Sequence, residues 1–173
     1  MKKIIIFLSF ILCVFFVIFF VCLLLPSKVT VAKSVEINAS SIEVRNQIED
    51  FSQWKNWYPA FKEKDSTGVQ QPVSKNNLNS VTFTDTKGNK ITLVLADTTQ
   101  TEIKINLVSS SSVKVDYQFI LKPKSDHETE LIWNVNTYLG WSPWKRIEGI
   151  FLDKFSGPQY EGALKDLKDA AEH

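Results

Sequence analysis

The spacing of apolar residues changes several times along this chain, and each change marks an element. From Ile4 to Leu25 the run has no period, because every position except Ser9 is apolar. As a helix, its roughly 22 residues reach about 33 Å, enough to cross the hydrocarbon core of a bilayer. Pro26 closes it. Val29, Val31, Val35 and Ile37 then share one parity with polar residues between them, which predicts a half-buried strand over Lys28 to Asn38. Ser40 and Glu43 have the spacing of a capping box, so a helix is expected from about Ser41 to Asp50. The stretch Phe51-Ser52-Gln53-Trp54-Lys55-Asn56-Trp57-Tyr58-Pro59 predicts a second short helix that stops at the proline.

From Gly68 to about Leu139 the period is two. Val81 and Phe83, then Ile91, Leu93 and Leu95, then Ile103, Ile105 and Leu107 supply successive inward rows. Val113, Val115, Tyr117, Phe119 and Leu121 make the next, and Leu131, Trp133, Val135 and Thr137 the last. Thr86-Lys87-Gly88-Asn89, Ser109 to Ser112 and Pro123 to Glu128 carry the turn chemistry between them, which implies an antiparallel meander. Past Pro143 the spacing is helical again: Trp144, Ile147, Phe151 and Phe155 lie three or four apart. Gly157-Pro158 is expected to interrupt this helix, with Pro158 opening a continuation along Tyr160, Ala163, Leu164, Leu167, Ala170 and Ala171. No internal repeat is visible.

The fold class is therefore α+β: a curved antiparallel sheet, two short helices and a long C-terminal helix, preceded by one N-terminal transmembrane helix. Residues 1–26 are expected to form the anchor and residues 27–173 one domain, long enough to bury a real core. A sheet with one apolar face needs a cover, and the amphipathic last helix is the element able to supply it. Where a strongly curved sheet outruns that cover, an apolar hollow is left.

Composition sharpens this only in places. The apolar run exceeds the ~7–15 residues of a signal peptide core, and Leu23-Leu24-Leu25-Pro26 offers no small-residue cleavage site, which favours an uncleaved anchor. Phe20 and Val21 before Cys22 also lack the small residue of a lipoprotein signal. Lys2 and Lys3 on one side oppose Lys28 and Lys33 on the other; the expected orientation is a single pass with the N-terminus in the cytoplasm and the domain outside. Cys13 and Cys22 are both inside the run, so the domain forms no disulfide. Without Lys2 and Lys3, 18 of the 20 basic residues face 19 acidic ones, a balance that argues against nucleic acid as a partner.

The strand ending Val35-Glu36-Ile37-Asn38-Ala39-Ser40, the helix after it and the Phe51 to Pro59 segment are followed much later by Phe151-Leu152-Asp153-Lys154-Phe155-Ser156-Gly157-Pro158 and an amphipathic helix. Together they resemble the START/Bet v 1-like (SRPBCC) superfamily, in particular its membrane-tethered polyketide cyclase/dehydrase and lipid transport branch. The resemblance covers about Val31 to Glu172 and rests on element order and aromatic placement. It implies a helix-grip fold around a hydrophobic cavity, and leaves ligand and reaction open because the superfamily includes carriers, sensors and enzymes.

Catalytic chemistry is sparse. His127 lies in a charged turn beside Asp126 and Glu128, and His173 is terminal; both are expected in solvent. No thiol, zinc-ligand spacing or glycine-rich phosphate loop occurs in the domain, so neither metal nor cofactor is expected. Asp116 has the opposite parity to Val115 and Tyr117 and should point outward; Asp85, Asp97 and Glu102 fall at strand ends or turns. Trp54, Trp57, Tyr58 and Phe61 read either as packing or as a gate at the cavity mouth, and Trp141 and Trp144 add a third option, contact with the bilayer interface. Asn38-Ala39-Ser40 has the form of a glycosylation sequon, yet Ser40 is better explained as a helix cap. The residues expected to line the hollow are Trp57, Phe83, Leu93, Ile105, Tyr117, Phe119, Trp133, Thr137, Phe151, Phe155 and Leu164. The expected function is a membrane-anchored binding module, held in the bilayer by residues 4–25, for a hydrophobic small molecule or lipid. Burial of roughly ten methylenes at about 0.8 kcal/mol each, less at least about 4 kcal/mol for association, leaves at most about 4 kcal/mol, which is millimolar-class or weaker binding without special polar contacts. A cyclase- or hydrolase-type enzyme on the same fold and an envelope interaction protein without a ligand are the alternatives.

Overall fold

A computed structural model describes residues 2–62, 80–84, 88–109 and 113–173. The expected onset of the strands at Gly68, the Thr86-Lys87 half of the first reversal, and Ser110 to Ser112 lie outside them. The order is α1 (Lys2–Leu24), β1 (Lys28–Ile37), α2 (Ser41–Glu49), a 3₁₀ turn (Phe51–Gln53), α3 (Trp54–Trp57) and α4 (Pro59–Lys62). Then come β2 (Ser80–Thr84), β3 (Lys90–Thr98), β4 (Glu102–Ser109), β5 (Lys114–Ser125), β6 (Glu128–Tyr138), α5 (Pro143–Ile150) and α6 (Leu152–Ala171).

Among the described residues the strands form one curved antiparallel sheet in the order β1-β6-β5-β4-β3-β2. The meander thus closes back on the first strand, which covers the edge β6 would otherwise expose. Register fixes one inner face: Val29 pairs Thr137, Thr137 pairs Val115, Val115 pairs Leu107, Leu107 pairs Leu93, and Leu93 pairs Val81. The next row runs Val31, Val135, Tyr117, Ile105 and Leu95, and the one after it Lys33, Trp133, Phe119 and Ile103. The inward parity expected for all these strands is the parity observed. Asp116 points outward, 3.6 Å from Lys114. His127 and His173 are exposed.

The capping box forms as its spacing requires: Ser40 Oγ accepts from Glu43 N–H at 3.3 Å, and Glu43 Oε2 accepts from Ser40 N–H at 2.8 Å. Val44 and Ile48 bury the inner face of α2. Trp54 and Trp57 are fully buried, their Nε1–H groups donating to Ile48 O at 2.9 Å and Gln47 O at 3.1 Å. Packing is therefore their role here.

The C-terminal segment departs from expectation. The helix breaks at Phe151, whose N–H turns back to Glu148 O, and Pro158 lies within α6. Pro158 is exposed, so the Lys154 carbonyl that loses its helical partner can be met by water. Gly157 is buried against the Lys33–Asp153 pair: a Cβ there would stand 2.8 Å from Asp153 Oδ1 and 3.1 Å from both Lys33 Cε and Nζ. Lys33 is a cation on the inner face of β1, held by Asp153 at 3.1 Å and Glu161 at 2.8 Å. Its stem fills space under the helix while its head pairs at the rim. Ala163, Leu164 and Leu167 cover the sheet further along, and Glu172 accepts from Asn38 N–H at 2.6 Å.

Candidate ligand cavity

Aromatic rings occupy most of the space between sheet and helix. Trp133 stacks on Phe119 with centroids 5.1 Å apart, and Trp57 sits edge-on to both at 6.3 and 6.0 Å. What this packing leaves open is a cavity of about 220 Å³ set diagonally on the inner face. Its floor runs from Trp133 on β6 through Tyr117 on β5 and Leu107 on β4 to Ile91 and Phe83 on β3 and β2. Tyr58, Pro59 and Ala60 close one side, and Gln159 and Tyr160 of α6 the other. The register places Leu107, Ile91 and Phe83 at the sheet end from which α1 departs, with Lys28, Tyr138 and Lys114. The cavity therefore reaches that end.

Three of the eleven expected lining residues, Phe83, Tyr117 and Trp133, stand on its walls. Trp57, Leu93, Ile105, Phe119, Thr137 and Leu164 are buried in the surrounding packing instead, where Trp57 of α3 meets Phe119 and Trp133 and α6 lies along β1. Phe151 and Phe155 are exposed on the outside of the helical layer. Their helical spacing was sound, but the stripe faces the other way. Tyr58, Pro59, Ala60, Ile91, Leu107, Gln159 and Tyr160 complete the walls; period two already put Ile91 and Leu107 inward and helical spacing put Tyr160 on the apolar stripe, whereas nothing in the sequence singled out Gln159.

Polar groups in the cavity are few and neutral. The hydroxyls of Tyr58 and Tyr117 are 2.9 Å apart and buried. One donates to the other, so a single phenolic proton is left over. Burial, with only partial relief from Tyr117, pushes the Tyr58 phenol well above its usual range; burial does the same to Tyr117, reinforced by charge repulsion from Tyr58 and Tyr160. Tyr160 is raised by burial as well. The Nε1–H of Trp133 is buried without an acceptor. No carboxylate, histidine or basic side chain is on the walls among the described residues. Among the described residues the walls thus offer hydrogen-bonding hydroxyls in largely apolar surroundings and no carboxylate or imidazole able to take a proton near neutrality.

A second feature was not foreseen. Arg146 of α5 is buried, and its Nη1 donates to Leu23 O at 2.6 Å and Leu25 O at 3.0 Å while Nε donates to Gly140 O at 3.1 Å. The guanidinium thereby satisfies carbonyls left open at the C-terminal end of α1, where the helix dipole favours a cation. Cys22 is buried at the same junction. Beyond it, α1 is apolar, exposed over nearly its whole length, and long enough to cross a membrane, a property that signal sequences share. A shallow hollow along its flank, between Ile5 and Phe15, belongs to this exposed surface and not to the domain.

An antiparallel sheet gripping a long C-terminal helix, with two short helical segments at one end and a small cavity between, defines a START/Bet v 1-like domain. The chain belongs to the family described as polyketide cyclase/dehydrase and lipid transport, which matches residues 28–172. Among solved structures it is similar to a START superfamily protein from Mycobacterium smegmatis, at 17% identity over 83% of this chain and 97% of that one, TM-score 0.59. It is also similar to a conserved protein from Geobacillus kaustophilus, at 12% identity over 83% and 94%, TM-score 0.59. The Zhui aromatase/cyclase from Streptomyces sp. R1128 is similar at 13% identity over 84% and 94%, TM-score 0.60. At these identities the likeness is one of fold. No curated protein matches the chain.

Proposed function

We propose that the domain binds a small apolar molecule, or one end of a longer lipidic one, that carries a hydrogen-bond-accepting oxygen, and that α1 holds it in a membrane. What supports this reading is the buried Tyr58–Tyr117 hydroxyl pair on the wall of a largely apolar cavity, together with Trp133 on the same wall, whose Nε1–H has no hydrogen-bond partner. A buried donor left unmade costs about 1–3 kcal/mol, and a carbonyl or ether oxygen on a guest recovers it.

Size sets the rest. At about 30 Å³ per water, 220 Å³ is roughly seven water-sized groups, below the ~300–1,000 Å³ of drug-sized sites. Seven methylenes contribute about 6 kcal/mol, and association removes at least about 4 kcal/mol. The apolar term alone then leaves only tens-of-millimolar affinity, weaker than the sequence suggested, and two hydrogen bonds bring it to the millimolar range or somewhat below. Polar contacts therefore decide what binds, and a bilayer supplies lipidic guests at the concentration such affinity needs. Retention of α1 is supported by Arg146, whose donors to Leu23 and Leu25 would lose their acceptors if the helix were removed. Binding is favoured over catalysis by the lack of a carboxylate or imidazole on the described walls, and by phenols that burial keeps as hydrogen-bond donors holding their protons near pH 7.

Mass spectrometry of organic extracts from the full chain, purified from its membrane, tests the reading. Enrichment of an oxygen-bearing apolar compound, lost in Tyr58→Phe/Tyr117→Phe, is expected. Extracts identical for both proteins would overturn it.

A further inference from the structure

α5 carries its amphipathicity inside out. With 3.6 residues per turn, Arg146 and Gly149 fall on one side, and both are buried. Trp144 and Phe151 fall on the opposite side and are exposed, Trp144 at 65%. Trp141 just before the helix is 85% exposed, and Phe155, ring-paired with Phe151, is 76% exposed. A soluble domain gains nothing from showing four large aromatics to water on one short segment, since contiguous exposed apolar surface marks a contact. Glycine explains how the inversion is built: a Cβ at Gly149 would meet Leu139 Cδ1 at 2.3 Å and Val29 Cγ2 at 3.1 Å, so α5 lies hard against the sheet end.

The position of this face names its partner. Arg146, on the buried side of the same helix, holds Leu23 O and Leu25 O, so α5 lies within about one helix diameter, ~10–12 Å, of the end of α1. If α1 crosses a bilayer, α5 cannot be far from its surface. Tryptophan beside a spanning helix is the composition of the headgroup level, where one ring edge is apolar and the N–H is wet. Lys28 and Lys114, both over the Tyr138 ring at the same end of the sheet, add a basic and aromatic margin.

Resting on the reading of α1 as an anchor, we propose that Trp141, Trp144, Phe151 and Phe155 dock on the headgroup region of the bilayer that α1 crosses. The Arg146 clamp fixes the domain's orientation on that surface. Docking turns the cavity-bearing end of the sheet toward the lipids, and Gln159 on the cavity wall follows Phe155 by one helical turn. A guest then passes between bilayer and cavity over a short, aromatic-lined path.

The full chain reconstituted in phosphatidylcholine/phosphatidylglycerol vesicles tests this through tryptophan fluorescence. Lipids carrying a nitroxide near the headgroup should quench it more than lipids labelled near the chain end. Trp141→Phe/Trp144→Phe should abolish that quenching, because Trp54, Trp57 and Trp133 are buried in the domain. Trp144→Glu, at an exposed position that does not endanger folding, should reduce quenching of Trp141 and raise its access to aqueous iodide. A chain that resists alkaline carbonate extraction but whose Trp141 and Trp144 are quenched only by iodide overturns docking and leaves the anchor standing. Extraction by carbonate overturns the anchor itself. Tryptophans shielded from both quenchers mean a protein covers the face, which also overturns the proposal.

Discussion

Replacing Tyr58 and Tyr117 by phenylalanine, singly and together, probes whether the two hydroxyls are satisfied only by each other. They are 2.9 Å apart and buried. Either single replacement leaves the other hydroxyl as a buried polar group without its partner, at about 1–3 kcal/mol. Removing both eliminates the hydrogen bond and the stranded group together, so the double variant should be no less stable than the worse single one. The coupling energy expected from the cycle is then about 1 kcal/mol or more. For a domain of this size about 1 kcal/mol corresponds to roughly 2–4 °C in Tm. Thermal unfolding of the full chain in detergent, followed by far-ultraviolet circular dichroism, should show each single variant melting about 3–9 °C lower and the double variant within that span. Additive losses, or single variants that melt with the wild type, would refute the reasoning, since they would mean that each phenol has another partner of equal strength.

Four further outcomes follow from the geometry. Alkaline titration at 295 nm should show Tyr58, Tyr117 and Tyr160 protonated past the ordinary phenol pKa of about 10, and ionising only as the domain unfolds. Because their folded pKa values are raised, the unfolded state loses protons first; stability is whole below about pH 10 and falls as pH rises beyond it. Arg146→Leu removes all three guanidinium hydrogen bonds and should expose the Leu25 to Lys28 link, with limited proteolysis there faster by about tenfold or more, since even one lost charged hydrogen bond is about 1.5–3 kcal/mol. Ser40→Ala removes the cap of α2 and should cost about 1 kcal/mol, or roughly 2–4 °C in Tm. Gly157→Ala should lower Tm by crowding the Lys33–Asp153 pair, because a Cβ there stands 2.8 Å from Asp153 Oδ1 and 3.1 Å from Lys33 Nζ; adding Lys33→Ala or Asp153→Ala should recover part of the loss, and no recovery in either would show that these side chains are not what the Cβ strains.

Local patterns made much of the fold legible. Period two gave each inner strand face correctly because register transmits one parity across the whole sheet, and the Ser40 cap was readable because its chemistry lies within four residues. The candidate cavity was less legible. Tyr117, Phe83 and Trp133 share the inward parity with Leu93, Ile105 and Phe119, so alternation alone cannot say which of them meets a void and which meets Trp57 or α6. The C-terminal segment misled for a physical reason. Trp144, Ile147 and Phe151 form an apolar stripe whose default reading is a buried one, but Arg146 is drawn inward by the carbonyls at the end of α1, and the stripe is rolled outward. Such a contact between residues more than a hundred positions apart leaves no local trace.

If the cavity takes an oxygen-bearing apolar guest, the unpartnered indole N–H of Trp133 on its wall is the group that gains a hydrogen bond. The ¹H–¹⁵N resonance of its indole, observed as cyclohexanone is titrated into the full chain in nanodiscs, tests this most directly. The Trp133 resonance should move downfield in the millimolar range while those of Trp54 and Trp57, already bonded to Ile48 and Gln47, stay in place. An indole signal for Trp133 that stays still at saturating ketone, or moves no more than the other two, would contradict the account.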